Sequence, residues 1–206
     1  MQLRRARSSD LDRVAATLAL AFADDPVWGL ALAGPVAGTD HHVPYWRFFA
    51  AAGVDQESVW LADDGAALAV WVPPGGVELP AEELVHLEAF NAATLGPQRA
   101  AEMAELYERF ESNHPAEPAH AYLSLLATHP GHRGKGVGQA LLRENLREWD
   151  ALGVATYLES TNPANDHRYV RAGYHPVGRF EAVRDGAPIT TMWRSPGESA
   201  PIDPAS

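Results

Sequence analysis

A basic, glycine-rich segment two-thirds of the way along the chain could bind a phosphate or pyrophosphate group. It reads Arg133-Gly134-Lys135-Gly136-Val137-Gly138 and stands between an apolar run and a segment with helical spacing. The first amides of a helix lack partners within the helix and lie at the positive end of its dipole. Glycines let such amides converge on an anion, because no Cβ stands in the way. The segment therefore predicts an anion-binding loop at a helix N-terminus.

The spacing of the glycines argues against the two common nucleotide-binding loops. A Walker A loop has Lys-Ser/Thr after its second glycine, whereas Gln139 and Ala140 follow Gly138. A Rossmann loop reads Gly-x-Gly-x-x-Gly and usually follows the first strand, whereas these glycines are evenly spaced and come late. A turn that serves only helix entry is an alternative, although such a turn needs neither Arg133 nor Lys135.

The elements that would position this loop are predicted from apolar periodicity and turn residues. The run before the loop, 122–128, has the low polarity of a strand covered on both faces. The other predicted strands are 2–7, 58–62, 67–72, 154–159, 174–183 and 189–194. The first predicted helix lies between the cap residues 8–10 and the turn 24–26, and another runs from the glycine-rich loop to about residue 151. The remaining predicted helices are 28–33, 41–52, 81–94, 97–112 and 165–171. This α/β pattern predicts one domain at 1–194 with a helical insertion at about 80–113, and a flexible tail at 195–206.

Composition limits the classes of function. The 206 residues are 46% hydrophobic, which suits one folded domain, and the absence of cysteine excludes disulfides and thiolate chemistry. Nine histidines lack the paired spacing of a metal site, so no metal is predicted. A net charge of −11 disfavours nucleic acid as a partner. It suits a cationic substrate, or simply a soluble surface. No signal-peptide core or membrane-spanning run is present, which predicts a cytoplasmic protein without a membrane partner.

The loop resembles the Arg/Gln-x-x-Gly-x-Gly/Ala signature of the GNAT superfamily of acetyltransferases, with a typical lead-in at 125–130. The segments 58–71, 158–160 and 169–174 are similar to those of puromycin N-acetyltransferases, and the resemblance covers about residues 2–194. It implies a GNAT fold, which is a mixed, mostly antiparallel sheet splayed around the cofactor and flanked by helices.

The resemblance also implies acetyl-CoA as co-substrate and a role for several residues. Strand residues Leu126, Ala127 and Thr128 would pair with the pantetheine arm, and the amides of the loop would bind the pyrophosphate. Asn165 would contact the cofactor, and Tyr169 stands where the family keeps a tyrosine that protonates the leaving thiolate. The helix around Tyr169 departs from the family pattern, because Arg168 replaces an aromatic residue and one residue fewer follows Asn165.

Acetyl transfer to an amine also needs a base and a donor that polarises the carbonyl, for which the backbone N–H of Leu126 is the candidate. Period-two alternation places His120 and Tyr122 on one strand face, and Glu159 ends the next strand. His120 is a candidate base, Glu159 a candidate base or amine anchor, and Tyr122 a candidate substrate contact. In the alternative without a catalytic role, His120 is a polar residue at the strand edge and Glu159 is a charge that faces solvent.

A cationic, partly aromatic acceptor would suit carboxylates and tryptophans near the first helices and the second hairpin strand. The candidates are Asp24, Asp25, Trp28 and Trp71, although Asp24-Asp25-Pro26 is equally typical of a helix end. Three functions stay open: acetylation of a small-molecule amine, including an antibiotic; acetylation of a protein lysine or N-terminus; and a non-catalytic acyl-CoA sensor. The family resemblance also suggests a homodimer.

Overall fold

A seven-stranded sheet forms the centre of the computed structural model, which describes residues 1–33 and 40–198. The strands are β1 (Leu3–Arg5), β2 (Val59–Ala62), β3 (Ala67–Val72), β4 (His120–Thr128), β5 (Ala155–Ser160), β6 (His175–Phe180) and β7 (Ile189–Arg194). Their order is β1-β2-β3-β4-β5-β7-β6, and every neighbouring pair is antiparallel except β4 and β5. The predicted mixed, mostly antiparallel sheet is confirmed.

Among the described residues, seven α-helices flank the sheet, close to the positions that the periodicity predicts. They are α1 (Leu11–Phe22), α2 (Trp28–Ala31), α3 (His42–Asp55), α4 (Ala81–Leu95), α5 (Pro97–Asn113), α6 (Val137–Ala151) and α7 (Asp166–Val170). In the described parts of the chain, none of them is both long and apolar enough to cross a membrane.

The hairpin of β2 and β3 shows why local sequence predicts this sheet well. Its turn places Asp63, Asp64 and Gly65 at φ values of 44°, 57° and 97°, a left-handed conformation that Asp and Gly tolerate better than other residues. The turn therefore fixes the register, in which Ala62 lies opposite Ala67.

Two apolar layers cover the two faces of the sheet. One layer joins α1 and α3 to residues such as Leu61, Leu68 and Leu125. The other joins α6, through Leu141 and Leu142, to the opposite face. The central strand β4 contacts both α1 and α6, which explains its low polarity.

The helical pair α4–α5 packs on the α1–α3 side, with Leu87, Leu95, Met103 and Leu106 in that core. The guanidinium of Arg109 donates to the carbonyl oxygens of Glu181 (2.8 Å) and Ala182 (3.2 Å), which connects α5 to the segment between β6 and β7.

Only the start of the predicted tail lies among the described residues. Ser195 donates its amide to Glu198 Oε2 at 2.6 Å, and Gly197 donates to Asp150 Oδ1 of α6 at 2.8 Å. Residues 195–198 are thus held against α6, and the predicted flexible tail at 199–206 lies outside the described residues.

Candidate active site

A gap between β4 and β5 opens in the middle of the sheet. The two strands pair in parallel from His120 opposite Ala155 to Leu123 opposite Leu158, and then separate. Beyond that point β4 pairs only with β3, and β5 pairs only with β7. The register with β3 passes over Ser124, which forms a bulge, and a bulge bends its strand. The sheet is therefore splayed where β4 continues to Thr128.

Two cavities meet at this gap. The first, named here the gap cavity, extends from the α1–α2 turn to α7; it is lined by Phe22, Asp25, Trp28, Leu123, Ser124, Leu126, Leu158, Glu159, Ser160, Thr161, Asn162, Asn165 and Tyr169. The second, named the aromatic cavity, lies under α3 and α5; it is lined by Trp28, Trp46, Phe49, Glu78, Tyr107, Phe110, Tyr122, Ser124, Leu125, Glu159 and Thr161. Glu159, Ser124, Trp28 and Thr161 border both cavities.

The glycine-rich loop leads from β4 into the N-terminus of α6. Gly134 and Gly136 have φ values of 76° and 75°, with open space where a Cβ would stand. Gly138 is needed for a different reason, because a Cβ there would collide with Thr128 Oγ1 at the end of β4. Within residues 1–33 and 40–198, no acceptor bonds the amides of 134–138. The loop thus presents free donors at a helix N-terminus, and residues 134–136 are exposed to solvent.

Each of the two basic side chains of the loop donates a hydrogen bond to a backbone carbonyl. The Arg133 guanidinium donates to the carbonyl of Ala21 in α1 at 3.0 Å, and Lys135 Nζ donates to the carbonyl of Gly131 at 2.9 Å. Both residues remain exposed, so their charges can still attract an anion.

Glu159 points into the protein, which contradicts the alternative of a strand-end charge facing solvent. Its side chain is 1% exposed and accepts hydrogen bonds from Tyr122 Oη (2.6 Å) and Tyr157 Oη (3.0 Å). His114 Nδ1, at the end of α5, lies 3.5 Å from Glu159 Oε1. Burial raises the pKa of both tyrosines, so they act as neutral phenol donors that orient the carboxylate.

His120 lies behind this cluster. Its Nδ1 is 2.8 Å from the carbonyl of Pro118, which can only accept, so Nδ1 carries the proton. Burial lowers the pKa of His120, and the neutral ring then accepts at Nε2 from His114 Nε2, 3.1 Å away. His120 is absent from the residues that line the two cavities. It reaches Glu159 indirectly, through its hydrogen bond with His114 and its ring contact with Tyr157.

Asp25 ends a helix and also lines the gap cavity, and its role as an acceptor contact stays a prediction. Its Oδ1 accepts from the amides of Val27 and Trp28, both at 3.0 Å, which terminates one helix and starts the next. Its Oδ2 accepts from Thr161 Oγ1 at 3.0 Å, which bridges α1–α2 to the segment after β5. Burial raises the pKa of Asp25. The residue lines the gap cavity, whereas Asp24 is exposed and lines neither cavity.

The two candidate tryptophans lie on opposite faces of the sheet. Trp28 borders both cavities and stacks on Phe110 at a centroid distance of 5.8 Å. Trp71 is 1% exposed and faces α6, where its Nε1 donates to Asn145 Oδ1 at 3.0 Å. The prediction that Trp71 binds the acceptor is therefore wrong, because strand alternation directs its side chain away from the cavities.

Tyr169 and Asn165 border the far end of the gap cavity. The ring of Tyr169 packs edge-on against Tyr174 at 6.2 Å, and burial raises the pKa of Tyr169 to about 12. The phenol therefore keeps its proton at neutral pH, as a general acid must.

Several residues of the site were not predicted from the sequence. Tyr107 and Phe110 of α5 line the aromatic cavity, and His114 follows at helical spacing as the C-cap of α5, a signal that could have marked one functional face. Glu78 had no such signal, because it lies in a Pro- and Gly-rich loop after β3. The Ser124 hydroxyl donates to the Glu78 carboxyl group. Burial raises the pKa of Glu78 to about 7.

Residues 101–176 match the family model described as the acetyltransferase (GNAT) domain. These residues therefore carry the sequence pattern of a GNAT acetyltransferase domain. The matched segment includes the glycine-rich loop, Glu159, Asn165 and Tyr169. Enzymes of this superfamily are N-acetyltransferases that use acetyl-CoA as co-substrate, and this domain therefore makes the chain an acetyl-CoA-dependent acetyltransferase.

Solved structures with the same fold span nearly the whole chain. A protein from Corynebacterium glutamicum ATCC 13032, described as histone acetyltransferase HPA2 and related acetyltransferase, is 22% identical (TM-score 0.65, covering 97% of this chain and 98% of that chain). Arylalkylamine N-acetyltransferase 2 from Aedes aegypti is 14% identical (TM-score 0.66, 94% and 98%). A Drosophila melanogaster polyamine N-acetyltransferase is 15% identical (TM-score 0.56, 94% and 99%). At these identities the likeness shows a shared GNAT fold.

The geometry of the GNAT domain is suited to acetyl-CoA. The strand edge at Leu126 to Thr128, which β5 leaves unpaired, offers backbone groups to the amides of a pantetheine arm. The free amides at 134–138 offer donors to a pyrophosphate. The gap cavity connects this edge to Asn165 and Tyr169.

The raised pKa of Glu78 predicts a stability effect that depends on pH. Between the ordinary carboxyl pKa of 4.5 and the folded value of about 7, the folded state binds more protons than the unfolded chain. Stability is therefore lost as pH rises through this window. Glu78→Gln removes the ionisable group. Relative to the parent, we expect the substitution to raise the free energy of unfolding by about 2 kcal/mol more at pH 8 than at pH 5, as measured by denaturant titration.

Glu88→Gln, at an exposed position on α4, is the matched control. It should change the free energy of unfolding by the same amount at pH 5 and pH 8. A gain from Glu78→Gln that is equal at pH 5 and pH 8 would contradict the expectation.

Proposed function

We propose that the protein transfers the acetyl group of acetyl-CoA to the amine of a small cationic molecule, by direct attack while both substrates are bound. One observation carries this proposal: the gap cavity and the aromatic cavity meet at Glu159. The gap cavity leads toward Tyr169 on α7, and the aromatic cavity ends among aromatic side chains and acids. A co-substrate in the first and an amine in the second would place the reacting groups beside the Glu159 carboxylate.

Glu159 is the proposed base. An amine attacks only as the neutral form, so its ammonium must first lose a proton, and the carboxylate accepts that proton directly or through one water. Tyr122 and Tyr157 hold the carboxylate in place by their hydrogen bonds. His114, which is 30% exposed at its side chain, borders Glu159 on the solvent side and offers the proton a way out.

Tyr169 and the Leu126 amide serve the other half of the reaction. Bound acetyl-CoA supplies the thioester, whose carbonyl carbon accepts the amine and whose sulfur leaves as a thiolate. The Leu126 N–H is the proposed donor to the carbonyl oxygen. Tyr169 holds the proton that the sulfur requires, and Asn165 and the loop amides position the co-substrate.

Tyr169→Phe should lower kcat about 100-fold and leave KM for both substrates nearly unchanged, because the substitution removes only the proton donor. The ring and its edge-on contact with Tyr174 are kept. Tyr174→Phe is the matched control, since it removes a buried hydroxyl of the same ring pair that lies outside the gap cavity lining. Equal kcat values for Tyr169→Phe and the parent would eliminate Tyr169 as the acid.

The walls of the aromatic cavity favour a small amine with an apolar or aromatic part. Trp28, Trp46, Tyr107 and Phe110 can pack against a ring or hold a cation over their faces, and Glu78 and Glu159 supply negative charge. The helix α5 closes this side of the cavity, which disfavours a folded protein as acceptor. Neighbouring structures carry the names of arylalkylamine, polyamine and agmatine N-acetyltransferases. The resemblance to puromycin N-acetyltransferases adds an amine-bearing antibiotic to this class.

The acceptor is tested by following thiol release from acetyl-CoA with phenethylamine, agmatine, puromycin and a lysine peptide. We expect turnover with at least one small amine and little with the peptide. Turnover with the peptide alone would support the protein-acetylating alternative. No thiol release with any acceptor would support a non-catalytic acyl-CoA sensor.

A further inference from the structure

The aromatic cavity contains a second carboxyl group that the acetyl-transfer steps do not use. Glu78 projects from the loop between β3 and α4 and accepts a hydrogen bond from Ser124, the bulge residue at the junction of the two cavities. Glu159 lines the same cavity. Two acids from distant parts of the chain therefore face one largely aromatic space.

Little positive charge surrounds these two acids. In the described parts of the chain, no Lys, Arg or His forms an ion pair with Glu78, and Glu159 has only His114. His114 acts on Glu78 at longer range and favours its ionised form, but less strongly than burial opposes it. The other titratable groups near Glu78 among the described residues are the phenols Tyr45 of α3, Tyr107 of α5 and Tyr122 of β4, which are neutral. Two like charges in a poorly solvated site favour retention of one proton.

We propose that Glu78 holds this proton while the aromatic cavity contains no cation, and releases it when a cationic amine binds there. Acceptor binding is then coupled to the release of one proton. The inference rests on the proposed function, because it assumes that the amine occupies the aromatic cavity. Burial raises the pKa of Glu78 to about 7, which agrees with a carboxyl group that keeps its proton below that pH while no cation is bound. The ammonium supplies the positive charge that the ionised pair lacks.

This coupling makes Glu78 a specificity residue. Below pH 7 a cation must displace the proton, so amine affinity should rise about tenfold per pH unit and level off above pH 7. An uncharged molecule of the same shape displaces no proton. Its affinity should therefore stay constant across this range.

The test is isothermal titration calorimetry of phenethylamine into the CoA-saturated protein, in buffers of different ionisation enthalpy such as PIPES and ACES. CoA carries no acetyl group, so no turnover interferes. We expect release of about 0.9 proton per amine at pH 6 and about 0.1 at pH 8. The uncharged analogue 2-phenylethanol should release none. Glu78→Gln should bind the amine without proton release, whereas the control Glu88→Gln should release protons like the parent.

Ser124→Ala provides a second variant that does not alter the acid itself. The Ser124 hydroxyl stabilises the ionised carboxylate, so its loss should move the half-release point above pH 7. Amine binding by the parent without proton release at pH 6, or release that persists in Glu78→Gln, would overturn the inference and leave the proposed function intact. No phenethylamine binding by the parent would overturn both.

Discussion

Replacing Gly136 with Glu should reduce acetyl-CoA affinity at least 100-fold while the protein stays folded. Gly136 is the N-cap of α6 at φ 75°, with open space around its missing Cβ, so a side chain causes strain of only about 1 kcal/mol. The new carboxylate would stand among the amides proposed to bind the pyrophosphate. Repulsion between charges about 4 Å apart near a protein surface is about 4 kcal/mol, which corresponds to nearly a thousandfold in affinity.

Gly153→Glu is the matched control for this experiment. Gly153 has φ 68° and the same open space, but it follows the C-terminal end of α6. The control therefore adds the same charge and a similar strain at a site away from the loop. Calorimetric titration with acetyl-CoA should give a parent-like Kd for Gly153→Glu. Parent-like affinity of Gly136→Glu would mean that the loop does not bind the co-substrate.

Replacing Glu159 with Gln should lower kcat/KM for the amine by about a thousandfold, the middle of the range for loss of a positioned base. Gln keeps the shape of the side chain and one oxygen that can accept from Tyr122 or Tyr157. The fold and the acetyl-CoA Kd should therefore change little. Initial rates at saturating acetyl-CoA, with Kd values from calorimetry, separate the catalytic loss from a binding loss.

His120→Asn distinguishes the two candidate bases. His120 reaches Glu159 only indirectly, through His114 and Tyr157 among the described residues, so its loss should reduce kcat/KM less than tenfold. The opposite pattern, with activity lost in His120→Asn and kept in Glu159→Gln, would transfer the role of base to His120.

Features encoded by neighbouring residues could be predicted from the sequence. The Asp63-Asp64-Gly65 turn specifies the β2–β3 hairpin by its tolerance of positive φ, and the glycine spacing of 134–138 specifies a loop that enters a helix. Helical periodicity placed α4 and α5 to within one residue at each end. In each case the physical cause lies within a few residues of the chain.

Features that depend on which distant residues meet could not be predicted. Alternation placed Ala69 and Trp71 on one face of β3. Only the packing of α6 shows that this face is covered by a helix and points away from the two cavities. Glu78 gives no periodic signal, and its importance arises from Ser124, 46 residues away. The Glu159 side chain is buried where His114, at the C-terminal end of α5, comes to lie beside β5, a contact between distant parts of the chain.

Acetyl transfer at Glu159, from acetyl-CoA to an amine bound at the same time, is tested most directly by two-substrate initial-rate kinetics. Thiol release would be measured with acetyl-CoA and the best small amine, each varied at several fixed concentrations of the other. The meeting of two separate cavities at Glu159 predicts double-reciprocal lines that intersect, as a ternary complex requires. Parallel lines, which indicate an acetylated enzyme, would contradict direct transfer between the two cavities.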